Sequence, residues 1–101
     1  MQNISLKPLK AQEVNVTLNG QATTLRIVQR STGMFMDIGV NNTWIAQGIL
    51  CLNGNKIVRY PHLKFSGDLV FADTKGSLDP SYDELGTRFK LFYLTAEEVA
   101  Q

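Results

Sequence analysis

Apolar and polar residues alternate along most of this chain, and residues that favour turns interrupt the alternation. In the segment EVNVTL, Val14, Val16 and Leu18 share one face of an extended chain, because successive side chains of a strand point to opposite faces. Asn19-Gly20 follows at once. This pair favours the type I′ turn of a two-residue hairpin, which needs a positive φ at both central residues. The sequence therefore predicts an antiparallel hairpin that continues into QATTLRIVQR.

The same pattern recurs towards the end of the chain. Further turn residues stand at Ser31-Thr32-Gly33, Asn41-Asn42 and Asn53-Gly54-Asn55, and Asn and Gly tolerate the backbone conformations that tight turns require. A spacing of about 8–12 residues between turns is typical of a sandwich or a small barrel. We predict an all-β fold: a single-domain antiparallel β-barrel or sandwich of about seven strands, with no helix of ordinary length.

Two segments in the middle of the chain carry more specific expectations. TWIAQGILCL is apolar on both faces, which is typical of a central strand covered on both sides. KIVRY begins the next strand, and Pro61 must lie at its end or at an edge, because proline cannot donate to a β-ladder. Cys51, the only cysteine, lies in the apolar run ILCL and is predicted to be a buried, inert thiol.

The length of 101 residues corresponds to one domain. Residues 1–12, which include Pro8, are predicted to form an extended N-terminal arm. Residues 13–94 form the β-barrel or sandwich, and residues 95–101 form a short C-terminal tail. Thr95 and Glu98 have the spacing of a capping box, so the tail is expected to form a helical turn or two at most.

The charge of the chain is nearly balanced. Ten lysines and arginines stand against nine aspartates and glutamates, for a formal net charge of +1. Duplex DNA and anionic membranes bind clustered cations, so the balance argues against both as partners. The N-terminus lacks the apolar run of a signal peptide, and no apolar run approaches the ~20 residues of a membrane span. We expect a soluble protein that is made in a cytoplasm and carries no export signal.

Acidic side chains concentrate between residues 67 and 88, in GDLVFADTKGSLDPSYDELGTR. Five of the nine carboxylates of the chain lie there: Asp68, Asp73, Asp79, Asp83 and Glu84. A calcium-binding EF-hand loop needs oxygen ligands at its first, third and fifth positions and glycine at its sixth. Counted from Asp73, Lys75 takes the third position and Gly76 the fourth. The match fails, and no metal site is predicted.

No catalytic pattern is recognisable in the chain. Acid–base catalysis by two carboxylates needs them on either side of a substrate cleft, and the only histidine, His62, sits in a turn directly after Pro61. The G-x-S-x-G elbow of serine hydrolases does not occur. Gly67, Gly76 and Gly86 are isolated, and no helix follows any of them to bind phosphate. The residues alone therefore show no recognisable catalytic or phosphate-binding motif.

The acidic segment is suited instead to a long loop that is held in one conformation. Its glycines permit positive φ at the bends, and Pro80 fixes one φ outright. Tyr82 and Leu85 are expected to fold back on the core and hold the loop there. A connection of about fifteen residues without strands is usually functional in a compact domain, so we predict a contact surface.

The carboxylates of this segment have basic partners nearby in the sequence. Arg88 is expected to form a bidentate pair with Asp73 or Asp83. Asp68 is expected to pair with Arg59 on the neighbouring strand. The acids then set turns and form pairs rather than a reactive site.

The run RYPHLKFSGDLVFADTKGSLDPSYDELGTRFKLFYL resembles the C-terminal half of the small phage baseplate plug proteins, known from a cyanophage tail. The motifs that carry the resemblance are Arg59-Tyr60, the strand Gly67 to Phe71, Asp73-Thr74 with Gly76, Asp79-Pro80 with Tyr82, and Leu85-Gly86 with Arg88. VTLNGQATTLRIVQR and GILCLNGNKIVRY resemble the first and central hairpins of that family. The resemblance extends over about residues 8–94.

The resemblance implies a structural protein of the virion. It implies a component of a contractile tail baseplate that plugs or caps the central hub, packs against hub and tail tube or initiator proteins, and has neither enzymatic activity nor a cofactor. The symmetry of such hubs leads us to expect several copies, with a trimer as the first guess. The chain would be made in the cytoplasm of the bacterial host.

Two other functions remain open on sequence grounds. An OB-like barrel could bind single-stranded nucleic acid or a saccharide on a face formed by Tyr60, Phe65 and Phe71. An acid-dependent hydrolase would use Asp73 and Asp83. The first requires exposed aromatic rings and the second requires two convergent carboxylates.

Overall fold

The computed structural model describes residues 2–58 and 65–99. Arg59, Tyr60, Pro61 and His62 of the sequence predictions lie outside the described residues. The strands are β1 (Gln2–Ile4), β2 (Ala11–Leu18), β3 (Gln21–Arg30), β4 (Gly33–Val40), β5 (Thr43–Cys51), β6 (Asp68–Asp73) and β7 (Phe89–Leu94). A 3₁₀ turn covers Tyr82–Glu84, and the short helix α1 covers Ala96–Val99.

The described strands form two antiparallel sheets. β2, β3, β4 and β5 follow one another in a four-stranded sheet, and β7 lies between β1 and β6 in a three-stranded sheet. Over the described residues the two sheets do not join into a closed barrel. The predicted all-β fold of about seven antiparallel strands is confirmed, and of the two architectures considered it is the sandwich.

The hairpin turns of the four-stranded sheet form where the sequence predicts them. Asn19 and Gly20 have φ values of 50° and 78°, and Asn41 and Asn42 have φ values of 52° and 66°. Positive φ at both central residues is the requirement of the two-residue turn. The turns fix the register of β2 with β3 and of β4 with β5.

The inner faces of the two sheets form one core. Its side chains lie at every second position of their strands, as the alternation predicts. Those at most 2% exposed include Leu25, Ile27, Met36 and Ile38 from the four-stranded sheet, and Leu69, Phe71, Leu91 and Tyr93 from the three-stranded sheet. The outer faces are therefore free to carry other side chains.

The prediction that TWIAQGILCL forms a central strand is wrong. β5 is the last strand of its sheet, and Trp44 and Leu50 are 37% and 40% exposed. The pairing of β4 with β5 also shifts register on both sides of Ile38. Apolar residues on both faces of a strand do not show that both faces are covered. Here the outer face of β5 lies at the surface of the protein.

The segment KIVRY also differs from its prediction. Residues 56–58 form no strand. Lys56 makes an isolated bridge to Val70, and the N–H of Ile57 donates to the carbonyl of Leu69 (2.9 Å). This segment runs along the edge of β6. The seventh strand is instead β1, at the N-terminus, which pairs with β7.

Two smaller expectations are met. Cys51 is 1% exposed, and burial raises its pKa to about 12, so the thiol is inert as predicted. At the C-terminus Thr95 and Glu98 form the reciprocal hydrogen bonds of a capping box, at 3.0 and 3.3 Å. None of the helices formed by the described residues has the length and apolar character needed to cross a membrane.

Candidate functional site

The connection between β6 and β7, residues 74–88, is named here the carboxylate loop. Its two ends are joined by Asp73 and Arg88, whose guanidinium donates from Nε to Oδ1 and from Nη2 to Oδ2, each at 2.8 Å. The carbonyl of Arg88 accepts from the backbone N–H of Thr74 (2.9 Å) and from its hydroxyl (2.8 Å). The bidentate pair expected for Arg88 is thus found with Asp73.

Asp73 also fixes the first turn of the loop. Its Oδ1 accepts from the backbone N–H of Lys75 (2.8 Å) and its Oδ2 from that of Leu78 (2.9 Å), and its side chain is 0% exposed. The hydrogen bonds and charge of Arg88, together with these backbone donors, hold the pKa of Asp73 well below its usual range. The carboxylate therefore stays ionised and fully hydrogen-bonded at neutral pH.

A second carboxylate ties the loop to the segment that follows β5. Oδ1 of Asp79 accepts from the backbone N–H of Asn53 (2.9 Å), and Oδ1 of Asn53 accepts from the backbone N–H of Asp73 (2.9 Å). Asn53 stands just after β5, so these bonds join the loop to the connection that leads to β6. Pro80, which follows, is buried.

The far end of the loop folds back on the core, as expected for Tyr82 and Leu85. Leu85 is 1% exposed, and the Tyr82 N–H donates to Oε1 of Gln29 on β3 (3.1 Å). Nζ of Lys10 lies 5.5 Å from the centroid of the Tyr82 ring, within the range of a cation–π contact. Anchors at both ends leave the middle of the loop at the surface.

Gly86 is needed where the loop returns towards β7. It has a φ of +85°, and a Cβ built on it would lie 2.3 Å from the carbonyl oxygen of Leu6. Gly67, before β6, is required for the same reason, since a Cβ there would lie 2.1 Å from the carbonyl oxygen of Leu94. Any other residue would push backbone away at either position.

The remaining carboxylates have local partners. Asp68 is 2% exposed, and its Oδ1 accepts from the backbone N–H groups of Val58 and Leu69, each at 2.7 Å. Its predicted partner, Arg59, lies outside the described residues. Asp83 accepts from the hydroxyl of Ser81 (2.8 Å). Oε2 of Glu84 lies 3.9 Å from Nη1 of Arg88.

These bonds define what the loop can do chemically. Among residues 2–58 and 65–99, no three histidine, cysteine or acidic side chains are grouped to hold a metal ion. The depressed pKa of Asp73 is unsuited to proton transfer near neutral pH. The carboxylates are used to hold backbone in place, and the loop presents a fixed surface.

The aromatic face considered for nucleic acid or saccharide is not available in the described structure. Phe65 and Phe71 are 6% and 1% exposed. The Phe65 ring meets the Tyr93 ring edge-on, with centroids 5.9 Å apart. Buried rings cannot stack on bases, and Tyr60 lies outside the described residues.

Sequence reasoning missed several residues of the loop and its surroundings. Gln29 on β3 and Asn53 just after β5 bind the loop, and nothing in their local sequence shows it. Leu78 was not singled out, although it is 58% exposed in the middle of the loop. Its position between two hydrogen-bonding aspartates was the one available signal.

The two sheets and the anchored loop define a small β-sandwich protein with one long loop held in a fixed conformation. The chain also matches, over residues 1–97, the family model of the cyanophage baseplate Pam3 plug gp18. It therefore belongs to that family of baseplate plug proteins, as the resemblance of its motifs predicts. No curated protein matches the chain.

Membership in the family has direct consequences. It supports a structural, non-enzymatic role in a phage baseplate. It also implies a location in the virion tail and association with other baseplate components.

Proposed function

We propose that this protein plugs or caps the central hub of a contractile phage tail baseplate and that the carboxylate loop is its contact surface. The hub and the tail tube or initiator proteins are its partners, and several copies, arranged as a trimer, enter the assembly after synthesis in the bacterial cytoplasm. Membership in the plug family supports the setting.

The observation that carries the proposal is the anchoring of the carboxylate loop. Arg88 and Asp73 join its ends, Asp79 ties it to Asn53, and Leu85 is buried in the core. A loop already held in one conformation loses little further entropy when it binds, which favours affinity and a defined orientation.

The residues assigned to this surface and its supports are those that the sequence singled out. They are Arg59, Tyr60, Gly67, Asp68, Asp73, Asp79, Pro80, Tyr82, Asp83, Leu85 and Arg88. In the described part, Asp73, Leu85 and Arg88 support the loop, and Asp79 and Asp83 lie at its exposed side. Gly67 and Asp68 lie at the other end of β6, where Asp68 binds the backbone of Val58 and Leu69. Release or rearrangement of the plug on tail contraction would break contacts made by this exposed side.

The double variant Tyr82→Ala/Arg88→Ala tests the role of the loop in assembly. In the phage that encodes this chain, we expect normal heads and incomplete tails by electron microscopy. Glu13→Ala, at an exposed residue of β2 outside the loop, is the matched control, and Tyr82→Ala alone keeps the pair of Asp73 and Arg88 in case the double variant fails to fold. Normal baseplates and wild-type infectivity in folded Tyr82 and double variants would overturn this role.

A further inference from the structure

Leu78 occupies an unusual position in the carboxylate loop. At 58% it is the most exposed of the large apolar side chains described, ahead of Leu9 at 47%. Its backbone is nevertheless fixed, because its own N–H donates to Asp73 and the next residue, Asp79, accepts from Asn53. An apolar side chain on a fixed backbone is suited to insertion in a partner's pocket. Leu78 and Asp79 are named here the Leu78 tip.

A pocket of matching character lies on the outer face of the four-stranded sheet. Val28 and Phe35 are opposite each other on β3 and β4, and Leu50 stands opposite Phe35 on β5. These side chains give the surface an apolar floor. The open cavity beside them has a volume of about 300 Å³ and is lined in part by Val28, Phe35, Arg26 and Arg30. We name it the outer-face pocket.

The two arginines at the rim of the outer-face pocket differ in whether a carboxylate lies near them. Arg26 lies 3.7 Å from Asp37 and places its guanidinium 4.5 Å from the centroid of the Trp44 ring. Arg30 is exposed, and within the described part of the chain its side chain has no carboxylate partner. The rim therefore offers an unneutralised cation next to an apolar floor.

We propose that the Leu78 tip of one copy of this protein binds in the outer-face pocket of a second copy. Leu78 contacts Val28 and Phe35, and the carboxylate of Asp79 faces Arg30. This inference rests on the proposed function for its setting, since it names a second copy as one neighbour of the plug. The apolar tip fits the apolar floor, and the acidic neighbour fits the basic rim.

Two features favour a second copy as the occupant. The tip and the pocket are complementary surfaces of one chain, and such a pair generates contact between identical subunits. The net charge of +1 also leaves little long-range repulsion between copies. The bond from Tyr82 to Gln29 places the base of the loop beside the end of β3 that carries Arg30. Tip and pocket therefore lie near the same end of the molecule, so each copy can offer its tip to the pocket of the next copy around a closed ring such as a trimer.

Disulfide trapping between two single-cysteine variants tests the contact in the purified full chain. Leu78→Cys is mixed with Thr32→Cys, which places a thiol in the lining of the pocket. The native Cys51 is buried and does not compete. We expect the mixture to give a crosslinked dimer between positions 78 and 32, identified by mass spectrometry. Leu9→Cys mixed with Thr32→Cys is the control, because Leu9 is similarly exposed but lies outside the loop.

A second measurement checks the energetics without crosslinking. Sedimentation equilibrium of the wild type should show reversible self-association that Leu78→Asp weakens by about tenfold or more, since a buried leucine is replaced by a charge. Asp79→Asn keeps the oxygen that accepts from Asn53 but removes the charge that faces Arg30. It should therefore weaken association by a smaller factor. Circular dichroism melting verifies that each variant is folded.

These experiments can overturn the contact between tip and pocket without affecting the proposed role in the baseplate. A 78–32 yield no greater than that of the Leu9 control, or crosslinks only between two positions 78, overturns the contact between tip and pocket. Wild-type self-association by folded Leu78→Asp also overturns it. Neither result bears on the baseplate role, which the tail phenotype of the Tyr82 and Arg88 variants tests separately.

Discussion

At the scale of single residues, the carboxylates of the loop show how acidic side chains can organise backbone. Asp73 accepts two backbone N–H bonds and a bidentate guanidinium, and Asp79 accepts the backbone N–H of Asn53. Each acid replaces the regular pairing that a strand would give to the same backbone groups. The sequence predicted the pairing of Arg88 but could not choose between Asp73 and Asp83, because the choice depends on the fold of the loop.

Asp73→Asn should lower the melting temperature at pH 7, because the charge that pairs with Arg88 is lost. The folded pKa of Asp73 is depressed, so its contribution is complete above the ordinary aspartate pKa of about 4. That contribution is lost as the pH falls below this value towards the folded pKa. The gap between wild type and variant should therefore narrow in the acid range. Asp83→Asn is the control, and identical pH profiles for the two variants would contradict the account.

Gly86→Ala should destabilise the protein strongly, by about 3 kcal/mol, because it combines a positive φ with a backbone clash. The clash is with the carbonyl oxygen of Leu6. Gly54→Ala is the matched control, since its φ is +74° but nothing lies within 4 Å of the added Cβ. It should cost only about 1 kcal/mol. Urea unfolding measures both, and equal losses would show that the close approach to Leu6 is unimportant.

At the scale of elements, the hairpins are encoded locally and the sheet order is not. Asn19-Gly20 and Asn41-Asn42 specify their turns through positive φ alone, so β2 to β5 could be read from the sequence. The edge position of β5 could not be read from the sequence, because it depends on whether another strand pairs with the side of β5 that faces away from β4. The pairing of β1 with β7 joins the two ends of the chain. No local pattern reports such a contact.

Because the outer face of β5 is exposed, truncation of a leucine on that face should cost much less stability than truncation of a leucine in the core. Leu25→Ala should cost about 3 kcal/mol, because it leaves a cavity between the sheets. Leu50→Ala should cost less than about 1 kcal/mol, because Leu50 is 40% exposed on the outer face. Denaturant unfolding of both variants measures the difference. A loss at Leu50 as large as that at Leu25 would mean that β5 is covered on both faces in the isolated protein.

At the scale of the whole molecule, a small sandwich with one anchored loop is suited to an assembly. Its loop is held by bonds within the chain, such as the pair of Asp73 and Arg88. The family supplies the setting, a phage tail baseplate. The sequence alone reached this setting because its loop motifs, Asp73-Thr74 to Arg88, are specific in combination.

A cryo-electron microscopy reconstruction of the baseplate from the phage that encodes this chain tests the central claim most directly. The account predicts density for this sandwich on or around the central axis at the hub, with the exposed side of the carboxylate loop, including Leu78, buried against another subunit. A sandwich found away from the hub, or a loop that faces solvent throughout, would contradict it.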